Sequence, residues 1–316
     1  MEMAYVVILQ TLVMFLLMAV GYILFKTNKI TIEGSKSIAN LLVYVIIPIV
    51  IVKSFCKEPT RENIINFGVS AGVGLLALII SILVSRLFFN KSPLDDFATA
   101  FSNVGFFGIP LIEATIGDSG VFFIVPIIAF VNIGQWTYGV MRITEKPLKE
   151  VFAPKKLLVA PFVIATIVGL VLFFTGAGHL MKGYEFTNKV VYGVIDALSA
   201  VNTPLAMVVI GVYLAQTDFK SLFTTKSVYA VCLVRLIVIP LVLLGVFYFI
   251  PNEFYAIKMA IYLASICPVG SNVAVYAQLH DKDYPHAVKT VTLSVILSIV
   301  AMPLMIALAT FLFGGV

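Results

Sequence analysis

Ten stretches, each long and nearly free of charge, dictate the solvent in which this chain folds. They run at about 5–25, 37–52, 64–85, 97–112, 119–141, 157–178, 197–217, 227–250, 259–279 and 290–316, the eighth broken only by Arg235. A helix rises about 1.5 Å per residue and the hydrocarbon slab is roughly 30 Å thick, so about 20 apolar residues make one crossing. With 61% hydrophobic and 12% charged residues and a mean hydropathy of +1.07, an ordinary soluble domain is excluded. The expected fold class is an all-α integral membrane protein with ten transmembrane helices embedded in the lipid bilayer. Stretches 37–52 and 97–112 are short, so they are expected to borrow polar neighbours or not to cross as simple helices.

Basic residues give the orientation. Fourteen fall after odd-numbered stretches, at Lys26, Lys29, Lys36, Arg86, Lys91, Arg142, Lys146, Lys149, Lys155, Lys156, Lys220, Lys226, Lys282 and Lys289. The other loops hold six, at Lys53, Lys57, Arg61, Lys182, Lys189 and Lys258. Cytoplasmic loops carry the excess of Lys and Arg, so both termini are expected outside. The net charge of +5 is then a topology signal, and no nucleic-acid partner is expected without a solvated basic surface. The first apolar run has almost no basic leader and no small-residue cleavage site, which predicts a retained helix. Cys56, Cys232 and Cys267 have no CxxC spacing, so neither a disulfide framework nor a zinc site is indicated, and no cofactor is expected.

The most polar loop, 144–156 with Pro147 and Pro154, divides five stretches from five. An odd number per half obliges the second copy to enter from the opposite side, which is inverted-repeat geometry. The expected organisation is a first five-helix repeat over 1–143, a cytoplasmic linker over 144–156 and a second repeat over 157–316. Pro48 and Pro204 lie inside the second span of each half, and the fourth spans match more closely. Span four reads Phe101-Ser102-Asn103-Val104-Gly105-Phe106-Phe107-Gly108-Ile109-Pro110, and span nine reads Ser265-Ile266-Cys267-Pro268-Val269-Gly270-Ser271-Asn272. Proline removes amide donors and glycine loosens the backbone, so both spans are expected to break and cross near mid-membrane. Broken backbone survives in a membrane only when buried in protein or lining a wet cavity. Amide groups at half-helix N-termini, with the Asn103 side chain, would favour an anion there.

These residues resemble the auxin efflux carrier family, which includes plant PIN-type exporters and bacterial permeases assigned to malonate or malate. The resemblance rests on Ser102-Asn103-x-Gly105-x-x-Gly108-x-Pro110-Leu111, on Asn202 with Leu205 and Met207, on Arg235 followed by Pro240, and on Pro268-x-Gly270 followed by Ala277. It implies a bundle similar to sodium–bile acid symporters, with spans 1, 2, 6 and 7 as scaffold and spans 3–5 and 8–10 as a transport domain. An elevator motion, a homodimer, and a small mono- or dicarboxylate as substrate follow from the same likeness, with sodium or proton coupling open. By motif, the family's span-four asparagine falls on Asn103, its span-five glutamine on Asn132 and its span-seven asparagine on Asn202. The candidate substrate-binding set is Asn103, Gly105, Gly108, Pro110, Asn132, Asn202, Pro268, Val269, Gly270, Ser271 and Asn272. Ser102 replaces the plant proline, Ile51 replaces a polar residue, and the long plant loop is absent, which separates this chain from auxin itself. The short loop and lack of a targeting peptide make a bacterial cytoplasmic membrane the expected location.

Buried asparagines also act as interhelical glue, and Arg235 is expected to serve structure, by snorkelling or by pairing with a helix carboxyl end. Glu113 and Asp196 sit near span ends, where hydration is the ordinary state. His179, His280 and His286 fall in predicted loops and are expected to be solvated. Trp136, Tyr138 and Tyr255 are expected to be interfacial anchors. No mid-span carboxylate pair, HExxH or phosphate loop is present, so an enzyme is not expected. An anion channel is the remaining alternative, since broken helices also line pores.

Overall fold

The computed structural model describes residues 2–151, 158–217, 222 and 225–314. Residues 152–156 of the linker, with Pro154, and Lys220 lie outside the described residues. Among those described, regular structure is helical apart from one isolated β-bridge. In chain order the principal helices are α1 (Glu2–Lys26), α2 (Ile32–Ser54), α3 (Arg61–Phe89), α4 (Pro93–Ala100), α5 (Val104–Thr115) and α6 (Asp118–Thr144). There follow α7 (Pro161–Phe174), α8 (Thr187–Ala215), α9 (Lys226–Phe247), α10 (Tyr255–Ser265), α11 (Asn272–Leu279) and α12 (Tyr284–Phe313). Seven of them, α1, α2, α3, α6, α8, α9 and α12, are long and apolar enough to cross a membrane.

Side-chain caps set several starts. Thr31, Thr60 and Asp283 accept from the amides of Gly34, Asn63 and His286 at 3.0, 3.2 and 2.9 Å, satisfying donors that have no intrahelical partner. Because α2 begins at Ile32, it takes in Glu33 and Lys36 and reaches 23 residues, which resolves the shortness of stretch 37–52. Stretches 97–112 and 259–279 are each two half-helices, α4 with α5 and α10 with α11.

A wide π-type turn precedes a proline in three helices, at Leu42–Ile46 before Pro48, Val104–Gly108 before Pro110 and Val234–Val238 before Pro240. In each, the residue before the proline donates to the carbonyl five positions back. A proline ring in a regular helix collides with the carbonyl four back, and a wide turn relieves that collision. Elsewhere α1 and α8 touch backbone to backbone: a Cβ at Gly21 would overlap Val208, and one at Gly211 would overlap Met18. Small residues at such points permit the close van der Waals packing that drives helix association in lipid. At one end of the bundle Phe55, Phe67, Phe122 and Phe173 form an aromatic cluster with neighbouring centroids 5.3 to 6.4 Å apart.

Candidate functional site

The two interrupted segments cross through their backbones. Asn103 N–H donates to Pro268 O at 2.8 Å and Gly270 N–H donates to Phe101 O at 3.0 Å, forming an antiparallel bridge between Ser102 and Val269. Position 270 is tight, because a Cβ there would lie 3.3 Å from both Phe101 O and Ser102 O and the bridge would have to give by a few tenths of an ångström. Ser294 Oγ accepts from Val269 N–H at 3.1 Å and ties the bridge to α12.

Four half-helix ends meet at this bridge. The carboxyl ends of α4 and α10 are capped by one fully buried side chain, Arg235 of α9. Its guanidinium donates to Thr99 O at 3.2 Å, to Cys267 O at 3.1 Å and to Ser265 O. Arg235 thus serves as a structural cation on two partial negative charges, the pairing with helix carboxyl ends that the sequence suggests. The amino ends of α5 and α11 have no such partner. The amides of Val104, Gly105, Ser271 and Asn272 have no acceptor among the described residues. Asn103 caps α5 through Oδ1, 3.3 Å from the Phe106 amide, and its Nδ2 is buried without a partner.

These open ends face a cavity of about 840 Å³. Its walls come from α2, α7, α8, α5, α6, α11 and α12, and exposed lining residues at its mouth include Lys36, Val159 and Tyr284. Of the expected set, Asn103, Gly105, Asn132, Gly270, Ser271 and Asn272 line it. Gly108, Pro110, Asn202, Pro268 and Val269 do not. Gly108 sits against Cys267 Sγ and Val104, while Pro268 and Val269 spend their backbones on the bridge and on Ser294. Asn202 is fully buried at the middle of α8, with neither polar side-chain atom hydrogen-bonded. Asn132 donates to Ile128 O at 2.8 Å within its own helix, one turn from Gln135.

Gln135 is the residue that the motif match missed. It is 3% exposed, lines the cavity and accepts from Asn272 Nδ2 at 2.9 Å, joining α6 to the crossing. A polar residue one turn after Asn132 in an apolar run was the available signal. Trp136, expected as an interfacial anchor, lines the cavity edge-on to Tyr276, with centroids 5.6 Å apart. Lys36 is the one lining residue with a formal charge among those described, and no carboxylate shares the wall.

Two other expectations are corrected around Asp95 and Asp96. His286 is not a solvated loop residue: it lies in the first turn of α12, half-buried, 2.7 Å from Asp95. Tyr138 is not an anchor, because its hydroxyl donates to Asp96 at 2.8 Å. Asp96 is completely buried, held by Arg142 Nε at 2.5 Å, with Arg86 at 3.7 Å and Ser85 also bonded to it. Elsewhere Lys258, counted as a loop cation, is buried, donating to Asn252 Oδ1 at 2.9 Å and Ile250 O at 3.2 Å.

Described residues that are almost wholly helical, with apolar helices, interrupted segments and a cavity carrying a few polar groups among them, have the form of a multi-pass membrane transporter. The profile of the family described as membrane transport protein matches residues 6–306, and the chain belongs to that family, the auxin efflux carriers that its span-four and span-nine motifs resemble. No curated protein sequence matches it.

Proposed function

We propose that this protein is a secondary carrier that moves a small organic anion, a mono- or dicarboxylate, across the cytoplasmic membrane. The observation that carries this reading is the crossing itself. Val104, Gly105, Ser271 and Asn272, whose four amides have no acceptor among the described residues, line a cavity with no carboxylate in its described wall, and the unpartnered Asn103 Nδ2 is buried just behind it. Each amino end is equivalent to roughly half a positive charge, and a desolvated carboxylate satisfies donors that otherwise stay unmade at a cost of about 1–3 kcal/mol each. Gln135, Asn272 and Ser271 supply orienting groups, and Lys36 attracts the anion at the mouth.

In this reading the ten spans form two inverted five-helix repeats, with α1, α2, α7 and α8 as scaffold and the remaining helices as a transport domain. A cavity walled by both bodies is what an elevator carrier presents on one side of its cycle. The basic-residue count assigns that side to the cytoplasm, and the scaffold helices would pair two copies.

The test is uptake of labelled mono- and dicarboxylates into liposomes, with and without sodium and proton gradients. Saturable flux with counterflow is expected, and Asn103→Ala should abolish it while the purified protein stays monodisperse. Unchanged kinetics in that variant removes the site, and non-saturable flux makes the protein a channel.

A further inference from the structure

Opposite the cavity mouth, the two bodies of the proposed carrier are joined by charge as well as by aromatic packing. Lys53, on the last turn of α2, lies 3.2 Å from Asp196 of α8 and 3.6 Å from Asp118, the first residue of α6. Its side chain is 20% exposed, whereas the two carboxylates are 60% and 56% exposed. Next to it, Lys57 Nζ donates to Ser119 Oγ at 2.9 Å and lies 5.1 Å from the Phe122 ring centroid. Burial pushes the Lys57 ammonium below the usual lysine value, an effect that Asp118 opposes and Lys182 reinforces. Beneath these groups, Phe55 of the loop after α2 packs on Phe122 of α6, Phe67 of α3 and Phe173 of α7.

We propose that Lys53 and Asp118 form a latch between scaffold and transport domain, which holds the end opposite the mouth closed over the aromatic cluster. The proposal rests on the carrier reading and its division into two bodies. Asp196 and Lys53 belong to the same body, so their pair is kept whichever way the transport domain moves. Asp118 belongs to the other body, so the Lys53–Asp118 pair exists only while this end is shut. Asp196 serves to keep the lysine at the boundary, ready for Asp118 to return. The two aspartates look alike in charge and exposure, yet the latch gives them unequal roles.

Hydrogen exchange of the full chain in lipid nanodiscs, read by mass spectrometry without substrate, separates those roles. Asp118→Asn should raise exchange at 118–123 by roughly two- to fivefold, the scale of one part-exposed ion pair. The same variant should slow exchange at 103–106 and 271–276, because opening one end closes the cavity at the other. Asp196→Asn should leave both regions close to the parent. Equal behaviour of the two variants overturns the latch, as does faster exchange at both ends in Asp118→Asn, which marks simple destabilisation. Lys53→Arg, which retains the charge, should match the parent, and a Lys53→Arg profile like that of Asp118→Asn also overturns it. Failure of the Asn103→Ala flux test strikes the carrier reading, whereas loss of this reciprocal pattern strikes the latch alone.

Discussion

The carboxyl and amino ends of the half-helices meet within one crossing and are treated in opposite ways. Arg235 covers the carbonyl ends of α4 and α10 with a buried guanidinium. The amide ends of α5 and α11 each keep two amides without an acceptor among the described residues, although Asn103 Oδ1 caps the Phe106 amide of α5. Helix ends of both signs cost free energy when desolvated. The protein neutralises one sign with its own side chain and leaves part of the other without a protein acceptor, and under the proposed carrier reading it is this unmatched sign that the substrate anion answers.

The largest effect should come from breaking the covered side. Arg235→Met leaves three buried carbonyls without their donor, on the order of 3–5 kcal/mol. The expected outcome is loss of monodisperse protein or a large drop in the thermal midpoint, measured by size exclusion after heating. If Arg235→Met instead melts like the parent and only flux fails, the arginine belongs to the substrate and the comparison is wrong. On the uncovered side, Asn272→Asp adds a negative charge between the open amide end of α11 and Gln135. It should raise KM for a carboxylate by about tenfold or more, with little change in stability. An unchanged KM would mean that the anion does not sit at this end. The smallest effect belongs to Lys36→Gln at the mouth, a change of about two- to fivefold in KM that fades with added salt. A salt-independent change would place Lys36 in direct contact with the substrate.

The breaks were legible because glycine and proline write backbone constraints locally: Gly105 to Pro110 and Pro268 to Gly270 announce interruption without any knowledge of their partners. The length of α2 was also legible, once polar residues such as Glu33 and Lys36 were allowed into a helix end. What stayed hidden depends on pairing across distance. Nothing in its local pattern marks Asp96 as buried: Arg142 and Tyr138, more than 40 positions away, enclose it. His286 acquired its partner from 191 positions away. Gln135 was passed over because matching by motif gave the family's glutamine to Asn132, and only the bond to Asn272 distinguishes these neighbours. Asn202 is the converse: a motif residue that the fold sends into α8, away from the cavity wall.

The bridge between Ser102 and Val269 is made by main-chain atoms alone. Its hydrogen bonds therefore do not involve the side chains at 103, 135, 271 and 272, while Arg235, Ser294 and the tight space at position 270 support the frame. Selection or design can exchange the groups at 103, 135, 271 and 272 to suit a new cargo while the scaffolding of the X-shaped junction persists. A single architecture of this kind can accumulate many substrate preferences without being rebuilt.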